Sequence, residues 1–114
     1  MPDTVKIRQL NDELRTTFHG GKIAITPGVM ALGDLPTILK QLREFSAFTS
    51  DCDPEGVHDF GAFKYNGALH ITGEGPLIFF KFDYYDKELM FGSPNAANPE
   101  VTCRICTLML SSEY

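Results

Sequence analysis

Apolar residues recur at helical spacing in two stretches of the first half of the chain and alternate with polar residues between them. The helical stretches cover residues 4–18 and 34–48, and Asp34 is suited to cap the second. Residues 22–26 alternate in period two and are predicted to form a short strand. The apolar stripe of the first helix consists of Ile7, Leu10, Leu14 and Phe18.

The second half begins with a series of predicted strands. Residues 60–65 have strand composition, and Asn66-Gly67 is a strong hairpin signal that predicts a returning strand over residues 68–72. Residues 77–85 are the longest strand candidate, and their nearly continuous apolar start predicts a central strand that is covered on both faces. A tight turn then leads into a short strand over residues 89–91.

The last segment is predicted to be a third helix over residues 98–114. Asn98, Pro99 and Glu100 are typical of a helix start, because they supply a cap, a proline in the first turn and an acid near the positive end of the dipole. The order of elements is then α-β-α-β-β-β-β-α. This order predicts an α+β fold in which three helices pack on an antiparallel sheet of about four to five strands, within a single compact domain over residues 1–114.

Composition limits the partners and the compartment expected for the protein. The chain has 114 residues, a formal net charge of −5 and three cysteines. Its acidity disfavours direct binding to nucleic acid, which depends on lysine and arginine to neutralise phosphates. No apolar stretch reaches the ~18 residues of a membrane span, and the polar start is unlike a signal peptide. We therefore expect a cytoplasmic protein, without a membrane or nucleic-acid partner, whose cysteines are thiols.

The residues with acid–base chemistry gather near two predicted strand ends. His58 and Asp59 lie just before the strand at 60–65, and Asp83 and Asp86 lie near the end of the longest strand. Adjacent strand residues point to opposite faces, so Asp59 is poorly placed to orient His58. A catalytic site would need His58 to meet Asp83 or Asp86 across the sheet. The alternative is a histidine at a loop–strand junction that hydrogen-bonds to backbone.

A second group of candidates belongs to the acidic loop before that strand. Asp51, Asp53 and Glu55 alternate as calcium ligands do, but the glycine and the distal glutamate of an EF-hand are not at their offsets. We therefore interpret this segment as a solvated loop, and expect no metal and no cofactor. Together with His58 and Tyr85, these three acids are the candidate binding residues.

Cys103 and Cys106 have the C-x-x-C spacing of redox sites. A redox pair belongs at the start of a helix that follows a strand, whereas this pair falls inside the predicted third helix. We therefore expect ordinary cysteines at both positions.

Several segments resemble a family of small bacterial proteins of unknown function that occur on plasmids, phages and other mobile elements. The segments are IRQLND at 7–12, HDFGAF at 58–63, FDYYD at 82–86, FGSP at 91–94 and the closing stretch from 108 to 114. The resemblance covers nearly the whole chain. It implies a mobile-element setting but no reaction, because the family has no established activity.

Small size, acidity and an incomplete set of catalytic residues, together with the setting implied by the resemblance, predict a non-enzymatic binding or inhibitor protein. It would occupy a surface of a host or phage protein, such as a defence complex, and be anti-CRISPR-like. One alternative is a small metal-assisted hydrolase with His58, Asp59, Asp83 and Asp86 around one pocket. The other is a homodimeric accessory or regulatory protein that pairs through the exposed face of the Phe79 strand.

Overall fold

The computed structural model describes residues 3–67 and 75–114. Its elements are helix α1 (Thr4–Thr17), strand β1 (Lys22–Ile25), helices α2 (Pro27–Met30) and α3 (Leu35–Glu44), strands β2 (Phe60–Lys64), β3 (Leu77–Tyr85) and β4 (Cys103–Leu110), and a closing 3-10 turn (Ser111–Glu113). The α+β class predicted from the sequence is confirmed.

The four strands form one sheet in the order β1-β4-β3-β2. Strands β2 and β4 both run antiparallel to β3, whereas β1 runs parallel to β4. The predicted number of strands is confirmed, but the sheet is mixed rather than antiparallel. A parallel pair cannot be closed by a hairpin, and here the connection from β1 to β4 passes through α2, α3, β2 and β3.

The predicted helix over residues 98–114 is wrong, because this segment contains the central strand β4. Alternate residues of β4 are buried: Arg104, Cys106 and Leu108 are each at most 1% exposed. The sequence hid this strand, because Arg104 lies on its buried face and breaks the apolar alternation that marks a strand. The expected helix start forms a turn instead, in which Asn98 Oδ1 accepts the N–H of Glu100 at 2.9 Å.

Smaller differences concern the lengths and ends of elements. The second predicted helix ends at Glu44 rather than near residue 48, because Phe45 is extended. The short helix α2 was not predicted, although Pro27 is well placed in its first turn. Residues 89–91 form part of a turn rather than a strand. The predicted return strand at 68–72 lies outside the described residues.

One face of the sheet carries the hydrophobic core. Leu14 of α1 and Leu42 of α3 are fully buried in the same cluster as Phe80. Gly61 of β2 faces this cluster, and an added Cβ there would lie 2.4 Å from the ring of Phe80 and 2.7 Å from that of Phe45. Glycine is therefore required at this position, since two aromatic rings occupy the space of a side chain.

Helix α1 buries polar residues where an apolar stripe was predicted. Leu14 is fully buried, but Asn11 is 0% and Arg15 only 5% exposed. Arg15 Nη1 donates to the carbonyls of Leu42 at 2.9 Å and Phe45 at 2.8 Å, at the end of α3. A cation here satisfies carbonyls that lack partners within the helix and complements its dipole.

Within residues 3–67 and 75–114, no helix is long and apolar enough to cross a membrane.

Candidate functional site

Asn11 is the centre of a buried polar network that joins four parts of the fold. Its Nδ2 donates to the carbonyl of Val57 at 3.0 Å and to the hydroxyl of Tyr84 at 2.8 Å. Its Oδ1 accepts from Arg104 Nε at 2.7 Å. Both N–H groups and the oxygen of this amide are therefore used, and α1, the loop before β2, β3 and β4 are connected through one side chain.

Burial controls the protonation of this network. It raises the pKa of the Tyr84 hydroxyl to about 12, while the hydrogen bond from Asn11 opposes the shift. Burial also lowers the pKa of Arg104, although arginine stays charged at any physiological pH. The Arg104 guanidinium carbon lies 5.2 Å from the centre of the Tyr84 ring. A neutral phenol and a permanent cation are thus in cation–π contact near the end of β3.

His58 lies close to this network but binds a different set of partners. Its Nδ1 is 2.9 Å from Asp12 Oδ1, and its Nε2 is 3.9 Å from Asp53 Oδ2. Its ring stacks on that of Phe48, with centroids 3.8 Å apart and planes 3° from parallel. The sequence did not predict Asp12 as a partner, because nothing local connects α1 to the segment before β2.

The loop before β2 folds around Asp53. This carboxylate is only 7% exposed, and its Oδ1 accepts the N–H groups of Val57 at 3.0 Å and His58 at 3.1 Å. His58 has φ of +58°, a left-handed conformation that non-glycine residues adopt at a cost. The expectation of a solvated loop is therefore wrong for Asp53, which organises the loop from inside, whereas Asp51 and Glu55 are exposed.

The structure does not bring His58 to Asp83 or Asp86. Asp83 Oδ2 instead pairs with Lys81 Nζ at 3.2 Å. Asp86 Oδ1 accepts the backbone N–H groups of Glu88 and Met90 and shapes the turn after β3. The cross-strand meeting that a His–Asp catalytic site requires is therefore absent from the contacts of the described residues.

The contacts of His58 connect its loop to helix α1. Its Nδ1 is hydrogen-bonded to Asp12, and Phe48 covers one face of the ring, whereas its Nε2 is 3.9 Å from Asp53 Oδ2, too far for a hydrogen bond. Since its partners lie on α1 and on its own loop, His58 fastens that loop to the helix.

Asp59 and Tyr85 are the remaining candidate site residues predicted from the sequence. Partial burial raises the pKa of Asp59, and the carboxylates of Asp53, Glu55 and Asp83 raise it further. Its backbone carbonyl accepts from the N–H of Phe82. Tyr85 is half-buried at the end of β3.

The two cysteines of the C-x-x-C pair lie on opposite faces of β4. Cys106 is fully buried in the core, where burial raises the pKa of its thiol to about 12. Cys103 points to the other face, because the two residues are three apart in a strand. The pair cannot act as a dithiol. The residues that the structure describes also contain no group of three or more His, Cys, Asp or Glu side chains placed to hold a metal.

Among the described residues, three consecutive exposed apolar side chains lie on the turn after β3, residues 86–92, which we call the 86–92 turn. Leu89 is 48%, Met90 68% and Phe91 71% exposed. The Asp86 N–H donates to the Phe91 carbonyl at 2.8 Å, and the Leu89 N–H donates to the Asp86 carbonyl at 3.1 Å. Leu89 has φ of +60°. Sequence reasoning missed this surface, because three consecutive apolar residues also fit a buried strand.

A comparison with protein families now places the chain. Residues 25–113 match the family described as Protein of unknown function (DUF3768). The chain belongs to this family. The match includes the loop of His58, the 86–92 turn and β4, whereas α1, with Asn11 and Asp12, precedes it. Neither the curated proteins nor the solved structures give a match.

We expect Asn11→Ala to lower the free energy of unfolding by about 3 kcal/mol. The substitution leaves the buried Nε of Arg104 without its acceptor and the Val57 carbonyl without its donor, and unpaired buried groups of this kind are expensive. Urea unfolding followed by circular dichroism measures the change. Gln9→Ala is the matched control, since Gln9 is exposed on the same helix. A loss for Asn11→Ala no larger than for the control would contradict the role assigned to this network.

We expect Asp59→Asn to raise the free energy of unfolding at pH 7. The pKa of Asp59 is above its ordinary value of 3.8 in the folded state, so ionised Asp59 destabilises the fold at neutral pH. The gain in the free energy of unfolding should shrink as the pH falls through the raised pKa. It should vanish below pH 3.8, where Asp59 is protonated in both the folded and the unfolded state. Urea titrations at pH 7 and pH 3.5 measure it. Asp51→Asn removes the same charge from an exposed position and should change little; a gain that persists at low pH would refute the explanation.

Proposed function

We propose that this protein is a non-enzymatic binding protein whose 86–92 turn inserts into an apolar pocket on another protein. The observation that supports this most directly is the exposure of Leu89, Met90 and Phe91 side by side. Large apolar and aromatic side chains that cluster on a surface are typical anchors of protein interfaces. Single exposed apolar residues elsewhere, such as Val5, need no such explanation.

The turn is held in shape before any partner binds. Asp86 is hydrogen-bonded to the N–H groups of Glu88 and Met90, and Tyr85 forms a β-bridge with Gly92. A turn that is already ordered loses little conformational freedom on binding, so more of the contact energy contributes to affinity.

The backbone of Leu89 adds a second argument. A leucine with φ of +60° is strained by about 1–2 kcal/mol relative to glycine, which tolerates this conformation. Leu89 is half-exposed, so the free energy gained by burying its side chain within the fold offsets only part of that strain. A partner that covers the side chain would offset the remaining strain, which accounts for a leucine rather than a glycine at this position.

The surroundings of the turn indicate the charge of the partner. An open cavity of about 330 Å³ adjoins the turn and is lined by Asp86, Lys87, Glu88, Pro94, Glu100 and Val101. Three of these six residues are acidic and one is basic. An apolar pocket with a basic rim is therefore the partner surface that fits.

The setting of this interaction follows from the sequence resemblance. Proteins of mobile elements act within a host cell, so we propose a cytoplasmic host complex as the partner, with CRISPR machinery as one candidate. The net charge of −5 supports this choice, because complexes that handle nucleic acid present basic surfaces that an acidic protein can occupy.

A metal-assisted hydrolase built around His58 has weaker support. The Nδ1 of His58 is hydrogen-bonded to Asp12 and its ring stacks on Phe48, so structural contacts orient the ring. Asp83 and Asp86 serve other contacts.

The homodimer alternative concerns the second face of the sheet. Phe60, Phe79 and Tyr114 form an aromatic cluster there, with Phe79 and Tyr114 centroids 5.6 Å apart. Light scattering at protein concentrations from about 10 µM to about 1 mM tests this possibility. A concentration range of roughly 100-fold is needed to reveal weak association. We expect a monomer throughout, since Tyr114 already covers part of this face; a mass of twice the chain would favour the dimer instead.

We expect Phe91→Asp to abolish capture of the partner from a lysate of the host bacterium. The substitution places a charge in the apolar contact, and interface anchors of this type carry at least about 2 kcal/mol each. Val5→Asp is the matched control, because Val5 is equally apolar and 50% exposed on α1. A stoichiometric partner retained by the control and lost by Phe91→Asp supports the proposal. Failure to capture any partner, or equal capture by both variants, would contradict the proposed role of the 86–92 turn.

The companion variant Leu89→Gly separates binding from stability. Relief of the left-handed strain should raise the free energy of unfolding by about 1 kcal/mol, measured in urea, while capture weakens. A variant that is less stable and binds normally would show that Leu89 serves the fold rather than the partner.

A further inference from the structure

A second cavity lies at the edge of the sheet where β1 and β4 both begin. Its volume is about 320 Å³. The two strands run in parallel, so their first residues lie near each other at this edge, and Lys87 of the turn after β3 also lines the cavity. The lining residues are Gly20, Gly21, Lys22, Lys87, Pro99, Thr102, Cys103 and Arg104.

The charge of this lining is opposite to that of the whole protein. It contains Lys22, Lys87 and Arg104 but no acidic residue, in a chain whose net charge is −5. The cavity beside the 86–92 turn also includes Lys87, but there Asp86, Glu88 and Glu100 outnumber it. Among the described residues, neither lysine forms an ion pair.

Arg104 makes this concentration of charge unusual, because it is 1% exposed and binds only neutral acceptors. Its Nε donates to Asn11 Oδ1 at 2.7 Å, and its Nη2 donates to the carbonyl of Ala96. No described carboxylate pairs with it. A buried charge without a counterion is costly, and the cost falls if an anion binds nearby.

We propose that this cavity binds the phosphate group of a small molecule. Three cationic side chains without counterions favour a dianion over a carboxylate, and lysines are common point-charge partners of phosphate. The two glycines leave one wall without side chains. The volume is near the lower end of ligand pockets, which span about 300–1,000 Å³, so the ligand is a small phosphate ester or phosphate itself. The site shares Lys87 with the 86–92 turn but none of its exposed apolar side chains, and it does not depend on the function proposed for that turn.

Titration of the ¹⁵N-labelled protein with inorganic phosphate and, separately, with ribose 5-phosphate tests the proposal. We expect saturable shifts of the Gly20 and Gly21 amide signals, with sodium chloride at matched ionic strength as the reference. Tighter binding of ribose 5-phosphate than of phosphate assigns the site to an ester, and the reverse assigns it to the free ion. Shifts that do not saturate, or that chloride reproduces, would overturn the proposal by showing an adventitious ion only.

Paired variants show whether the cavity itself is responsible. The double substitution Lys22→Gln with Lys87→Gln should weaken phosphate binding by at least about tenfold, because each removes a charged hydrogen-bond donor. The control is Lys40→Gln with Lys64→Gln, which removes the same charge from exposed positions on α3 and β2. All four lysines are exposed. Arg104 is left intact because it belongs to the core. Equal weakening by both pairs would refute a specific site.

Discussion

The hydrogen bond from Arg104 Nε to Asn11 Oδ1 joins the central strand of the sheet to the first helix inside the core. Neither side chain could be buried alone, because an unpaired guanidinium or amide costs several kcal/mol when it leaves water. With Asn11 as the acceptor, Arg104 needs α1 in place, and Asn11 in turn fixes the Val57 carbonyl and the Tyr84 hydroxyl. The position of the helix and the path of the loop before β2 therefore both depend on this amide, in addition to the contacts of Arg15 and Asp53.

That dependence explains why the residues near His58 do not form the site that a catalytic interpretation requires. Asp53 holds the loop from within through the backbone N–H groups of Val57 and His58, and Asp12 holds it from the side through Nδ1 of the histidine. Strained backbone and a His–Asp contact often mark an active site, but here they have a structural cause. Exposed apolar side chains lie elsewhere, on the 86–92 turn, which is hydrogen-bonded from within.

Local patterns predicted much of the fold and little of the site. Helix α1 and strands β1, β2 and β3 were predicted within a few residues, because their periodicity and end signals are contained in short windows. Strand β4 was taken for a helix, since Arg104 interrupts its apolar face and Asn98-Pro99-Glu100 forms a turn that imitates a helix start. The partners of His58 could not be predicted at all: Asp12 is 46 positions away in sequence, and only the packing of α1 on the sheet brings it within 2.9 Å.

The place of β4 between β1 and β3 has a consequence for how the chain folds. Lys22 of β1 pairs with Ile105, roughly 80 residues later, so the parallel half of the sheet forms through very distant contacts. During synthesis β1 has no strand to join, and one edge of β3 stays open, until residues 103–110 have emerged. Open strand edges attract other chains. The growing polypeptide is thus most vulnerable to aggregation just before its last strand closes the sheet.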